Sequence, residues 1–278
     1  MVKGCYGAQI IHAPLLTIAA DHVAIEARTP LRIDGELYFV GKGENVSIDT
    51  KVDRRGFVLP GLCYTQMTMD NRFLLIDFDG VVVDSLHIGW EINHSFRPEM
   101  TKEQYLSLFE GNIYEKFDEI DKGSNEDREE DQKFFELYAE RILDEPPIKD
   151  IVEVFAKLNE DHTLIVISSS INAPIERYLE EHNIRHAFDA VMGADVHKSK
   201  REKMRMVFEK YGTSAKNCVF ITDTLGDMRE AHAMGVGSIA VSWGFHPHET
   251  LEKGVPFRII DRADELPDTI EDYFKEME

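Results

Sequence analysis

Asp77 and Asp79 stand two positions apart in FLLIDFDG, behind four apolar residues and ahead of Gly80. In an extended chain, residues i and i+2 face the same way, so this pair crowds two carboxylates at a strand end. A hard divalent cation such as Mg²⁺ relieves that repulsion and prefers oxygen ligands. Buried without a counter-charge, such a pair would be costly. Ser168, with Ser169 beside it, closes a second apolar run, TLIVISSS. There a hydroxyl can meet a phosphoryl oxygen beside the free N–H groups of a helix opening near Ile171, although serine is also a common helix cap. Lys198 and Lys200 fall at a helix start in HKSKREKMRMVFEKYG. A lysine there faces the unfavourable end of the helix dipole unless a phosphate sits nearby. Asp223 follows CVFIT, and Asp227 comes four residues later at a helix opening. Both acids can serve a metal, directly or through water, and Asp223 or Thr224 can equally be an N-cap.

The segments that must position these residues alternate. Short apolar runs, FLLIDF (73–78), TLIVIS (163–168), AVMGA (190–194), CVFIT (218–222) and SIAVS (238–242), are separated by stretches with apolar residues at helical spacing. Continuous Val/Ile/Leu strands between amphipathic helices predict a parallel sheet covered on both faces. Ligands of such sheets gather at the carboxyl ends of the strands, where all the polar residues above lie. One interval breaks the rhythm. Residues 85–146 are charged and helix-forming, far longer than a crossover requires, and Pro146 and Pro147 mark the return. They predict an inserted all-helical subdomain, with the acidic run NEDREED as a solvated helix start. Gly111 and Asn112 in FEGNIYE interrupt the helical pattern, as a turn between two helices or as a contact that sets specificity.

In order and spacing, Asp-x-Asp, Ser, Lys and Asp-x-x-x-Asp resemble the motifs of the haloacid dehalogenase superfamily over roughly residues 72–278, with phosphoglycolate phosphatase-like members the nearest in layout. The resemblance implies a Rossmann-like core (71–84 and 147–278) and a helical cap (85–146). It also implies a Mg²⁺-dependent phosphatase acting on a small phosphorylated metabolite. Asp77 would be the nucleophile and Asp79 the general acid and base. Ser168, Ser169 and Lys198 would hold the phosphoryl group, with Lys200 the fallback for the lysine. The metal would sit on Asp77, Asp79 (through its backbone carbonyl) and Asp223, with Asp227 nearby. Two positions depart from the family pattern: Ser199 replaces a proline and Thr222 a glycine. Neither removes a reactive group. A phosphomutase or phosphotransferase would use the same residues, and a non-catalytic binding module would have lost some of them.

Bulk properties agree. The 278 residues carry a net charge of −21 with 43% hydrophobic residues. A surface this acidic disfavours nucleic acid and anionic membranes, whose binding begins with Lys/Arg on phosphates. Cys5, Cys63 and Cys218 are too scattered for a disulfide framework or zinc site, and a reducing cytoplasm is expected. No stretch is apolar for long enough to span a bilayer. Residues 1–70 differ from the rest: nearly neutral, Thr/Val/Ile-rich, with Asp34-Gly35 and Gly41/Gly43 as turn signals. They read as a small β-rich extension built of hairpins. Met67 and Met69 leave room for an internal start.

Overall fold

The computed structural model describes residues 72–121 and 125–277 and, before them, the backbone of short strands; side chains are described over 72–118, at 130 and over 132–277. The chain divides into two compact units, Met1–Asp70 and Asn71–Glu278.

In the first unit the strands are antiparallel. Leu16–Ala20 pairs with Val23–Ala27, and Thr29–Ile33 pairs with Glu36–Val40 with Ile33 opposite Glu36. Asp34, Gly35, Gly41, Gly43, Met67, Met69, Cys5 and Cys63 lie outside the described residues.

The second unit is built on a six-stranded parallel sheet. Its strands are β1 (Phe73–Ile76), β2 (Thr163–Ile167), β3 (Ala190–Met192), β4 (Cys218–Thr222), β5 (Gly237–Val241) and β6 (Arg258–Ile260), in the spatial order β3-β2-β1-β4-β5-β6. β1 and β4 are buried throughout. Sheltered on both faces, such strands need no polar alternation, and each fully buried Leu, Ile or Phe side chain contributes about 1.5–3 kcal/mol. The chain order reverses across β1 and β4, so the ends of these neighbours form the crevice that a doubly wound sheet offers a ligand. The edge strand β6 has no counterpart among the predicted runs. It is only three residues long, and its first residue, Arg258, is exposed.

Helices α5 (Ile151–Leu158), α6 (Asn172–Glu181), α7 (Lys200–Tyr211), α8 (Leu225–Ala233), α9 (His248–Leu251) and α10 (Leu266–Met277) connect or flank the strands. Between β1 and β2 the chain forms α1 (Leu86–Phe96), α2 (Lys102–Leu108), α3 (Ile113–Asp121) and α4 (Asn125–Arg141). The two ends of this insertion run side by side: Val83 forms an antiparallel bridge with Pro147, and Ile148 N–H donates to Val82 C=O at 2.9 Å. No helix among the described residues is long and apolar enough to cross a membrane.

Candidate active site

The ends of β1 and β4 bring three acids together. Asp77, Asp223 and Asp227 are buried, with one carboxylate oxygen from each within 4.8 Å of the others. Each is fixed by its local backbone. Asp77 Oδ1 accepts from Phe78 N–H at 2.8 Å. Asp223 Oδ2 accepts from Phe245 N–H at 2.7 Å. Asp227 opens α8, where its N–H donates to the N-cap Thr224 hydroxyl.

Gly80 allows the first acid loop to turn. Its φ of +73° lies in the left-handed region, and a Cβ there would stand 1.9 Å from Asp223 Oδ2. A side chain at position 80 would meet both the steric cost of that φ and a collision with a candidate metal ligand.

Lys200 sits inside the acid cluster. Its Nζ donates to Asp77 Oδ2 at 2.8 Å and to Asp227 Oδ2 at 2.6 Å, and the residue is 2% exposed. The lysine expected there, Lys198, is exposed, and its ammonium lies 4.7 Å from the Tyr114 ring centroid. The reason is the helix start. Ser199 is the extended N-cap of α7, so Lys198 precedes the helix while Lys200 opens its buried face, continued by Lys203, Met204 and Val207. The 3-, 4- and 7-residue spacing of that face was the available signal.

Three carboxylates around one ammonium leave negative charge uncompensated. Burial, reinforced by Asp227 and Asp223 and only partly opposed by Lys200, holds the Asp77 carboxyl well above the usual range. Burial likewise pushes Asp223 up to about 8 despite the Phe245 N–H. Asp227 goes the other way: burial raises it, but Lys200 and the hydrogen bonds from Lys200 and Thr222 prevail and hold it low. Asp223 Oδ1 is buried with no hydrogen-bond partner among the described residues. An all-oxygen cluster with excess charge and an orphaned carboxylate oxygen fits a hard divalent cation.

The Asp79 carboxylate lies outside this cluster. Its Oδ1 accepts from Ser85 Oγ at 2.6 Å and from the Tyr138 hydroxyl, and its Oδ2 accepts from Ser170 Oγ at 2.8 Å. Tyr138 belongs to α4, so the insertion reaches the core's own carboxylate. Ser168 is fully buried, with Oγ 2.9 Å from Ser170 N and 3.5 Å from Asp79 Oδ2. Ser169 lines the cavity above the acids, and its C=O accepts from the Tyr114 hydroxyl at 2.5 Å. Sequence reasoning missed Ser170 and Tyr138. Ser170 was hidden in a run of three serines, and nothing local to Tyr138 marks a residue 59 positions away from its partner.

The FEGNIYE turn packs on the core. Gly226 N–H donates to Phe109 C=O at 2.8 Å, and a Cβ on Gly226 would fall 2.3 Å from Gly111 C=O. Asn112 caps α3 through Oδ1 and reaches Glu230 through Nδ2 at 3.3 Å. It is thus both a helix turn and a tether. His246 is buried between the same layers. Its Nδ1 accepts from Leu225 N–H, which leaves the proton on Nε2 to donate to Leu106 C=O at 3.1 Å. His248 is exposed and pairs with Glu252. The two departures from the family pattern supply hydroxyls here. Thr222 Oγ1 donates to Asp227 Oδ2 at 2.8 Å, and Ser199 Oγ donates to Glu230 Oε1 at 3.1 Å.

Over 133 residues the chain is 25% identical to a phosphoglycolate phosphatase of Aliivibrio fischeri, a match covering 47% of this chain and 53% of that protein. The chain thus spans about half the length of that curated relative. A hydrolase from Pseudomonas syringae superposes with a TM-score of 0.63 at 15% identity, over 73% of this chain and 99% of that one. CbbY from Rhodobacter sphaeroides, solved in complex with phosphate, gives 0.59 at 16% identity, over 70% and 96%. At these identities the two structures show the fold. The model of the haloacid dehalogenase-like hydrolases matches residues 74–241, and the chain belongs to that family.

Proposed function

We propose that this chain is a Mg²⁺-dependent phosphatase that hydrolyses a small phosphorylated metabolite through an aspartyl-phosphate on Asp77. The observation that carries this reading is the buried cluster of Asp77, Asp223, Asp227 and Lys200 beside a separately held Asp79. An Asp77 carboxylate oxygen forms a bond to phosphorus as the bond to the ester oxygen breaks. Asp79 delivers a proton to the departing alcohol, then takes one from the water that cleaves the acyl-phosphate. Lys200 neutralises charge on the phosphoryl oxygens, and Ser168 and Ser169 would hold the group by hydrogen bonds. Asp77, Asp223 and Asp227 would hold Mg²⁺, which when bound supplies the charge that lets a carboxylate approach a phosphate dianion. Turnover of acetyl phosphate should therefore disappear in EDTA and return with Mg²⁺. Full activity in chelator would overturn the proposal.

Mg²⁺ binding should also be visible without turnover. Asp223, normally near 3.8, titrates at about 8 in the folded metal-free protein. Between those values the folded state holds a proton that the unfolded state has lost. Unfolding releases it, so metal-free stability falls as pH rises through that window. Metal must displace the same proton. The rise in melting temperature on adding Mg²⁺ should accordingly be larger at pH 8 than at pH 5.5, read by differential scanning fluorimetry. A shift independent of pH would place the ion elsewhere.

Tyr138 should matter because its hydroxyl donates to Asp79 from the insertion. Removing one partner of a buried hydrogen bond costs about 1–3 kcal/mol, so Tyr138→Phe should lower kcat about 5- to 100-fold at saturating Mg²⁺. A kcat within about threefold of the parent, less than 1 kcal/mol, would show that Asp79 works without it.

A further inference from the structure

The cavity above the acids is walled largely by rings. Tyr105, Phe109, Tyr114, Phe117, Phe134 and Phe135 line it. All but Tyr105 are only partly buried, so ring surface remains open. Most of this wall comes from the insertion, on α2, α3, α4 and the Phe109–Asn112 turn.

The charges in the same wall exclude one class of substrate. Among the described residues, two cations line the cavity, Lys200 and Arg97. Lys200 is held by Asp77 and Asp227 at the phosphate end. Arg97 is paired with Glu130 at 2.9 Å, and its guanidinium carbon lies 5.5 Å from the Phe117 ring centroid. Glu130, Glu230 and Asp79 face the same space. A carboxylate on the leaving group would meet acids there, and among the described residues the cation of the upper wall, Arg97, already has an acid partner. A neutral flat ring meets what the wall offers, faces and edges of other rings, where stacked and edge-on pairs are both favourable.

Resting on the phosphatase reading above, we infer that the alcohol released from the phosphate ester is an uncharged aromatic or heteroaromatic group, and not a short carboxylate-bearing chain. The phosphate end is generic to the acid cluster, and selection falls to the ring-lined wall. Differences in such a wall act on kcat/KM through contacts to the leaving group.

The test is a substrate panel on the full chain with Mg²⁺: acetyl phosphate, phosphoglycolate, pyridoxal 5′-phosphate and adenosine 5′-monophosphate. Acetyl phosphate reports phosphoryl transfer with almost no demand on the wall. At least one of the two ring-bearing esters should exceed phosphoglycolate in kcat/KM by about 100-fold. If acetyl phosphate is hydrolysed and phosphoglycolate equals or surpasses both ring-bearing esters, the inference is overturned while the phosphatase reading stands. If no member of the panel is hydrolysed, the phosphatase reading fails and the inference with it. A second measurement reverses the selection. Ile113, partly buried at the start of α3, also lines the cavity, and Ile113→Lys would place an ammonium in the wall. The ratio of ring-bearing ester to phosphoglycolate should then fall by about tenfold or more, as expected when one contact to the leaving group changes. An unchanged ratio in a variant that still turns over acetyl phosphate would overturn the inference.

Discussion

Asp77→Asn should reduce phosphatase turnover by at least about three orders of magnitude, equivalent to about 4 kcal/mol of transition-state stabilisation, while leaving a folded protein. The amide is nearly the same shape as the carboxylate and can keep the bond from Phe78 N–H. What it loses is the charge that attacks phosphorus and one of three acidic groups available to a cation. The fold should persist because β1 is buried independently of this side chain and the amide replaces a carboxyl that burial and its acid neighbours disfavour in the charged form. Melting temperature in EDTA should therefore be equal to or above that of the parent. Turnover within tenfold of the parent, a loss of only about 1.4 kcal/mol, would remove Asp77 as nucleophile.

The second large effect separates two lysines two residues apart. Lys200→Met should lower kcat by about 10²–10³, the usual cost of deleting one donor aimed at developing charge. It should also destabilise the metal-free protein by about 3–5 kcal/mol, because two buried carboxylates lose their shared counter-ion. Mg²⁺ should recover part of that loss by supplying charge to the same acids. Lys198→Met removes only an exposed ammonium from a ring face, a contact of about 0.5–1 kcal/mol, and should change kcat by less than about threefold. Steady-state kinetics and thermal melts of the two variants decide the matter. A larger defect at Lys198 than at Lys200 would return the role to the position first read from the sequence.

That displacement shows where one-dimensional reasoning stops. The strand runs were legible because a doubly covered parallel sheet leaves continuous apolar stretches, and CVFIT coincides with β4. The edge strand β6 was not, since a three-residue edge needs no such run. Asp77, Asp79, Asp223 and Asp227 stood out because strand ends and a helix opening are marked by abrupt changes in polarity. Lys198 and Lys200 lie on either side of a cap, and only the buried spacing of α7 tells them apart. Ser170 was masked by its two serine neighbours, while Tyr138 and the ring-lined wall are products of the insertion folding over the strand ends. Their signal is distributed over segments that look, in sequence, like ordinary amphipathic helix.

The bridge between Val83 and Pro147 carries a consequence for how this molecule can vary. Because the insertion leaves and re-enters the sheet at adjacent points, its length and internal helix angles do not propagate into the register that pairs Ile76 with Ile221. The entropic cost of closing a longer or shorter excursion across that bridge grows only with the logarithm of its length. On the proposed reading, reactive chemistry and substrate choice thereby lie on separable pieces of chain. The α1–α4 segment can then change while the strand ends that carry Asp77 and Asp223 stay where they are.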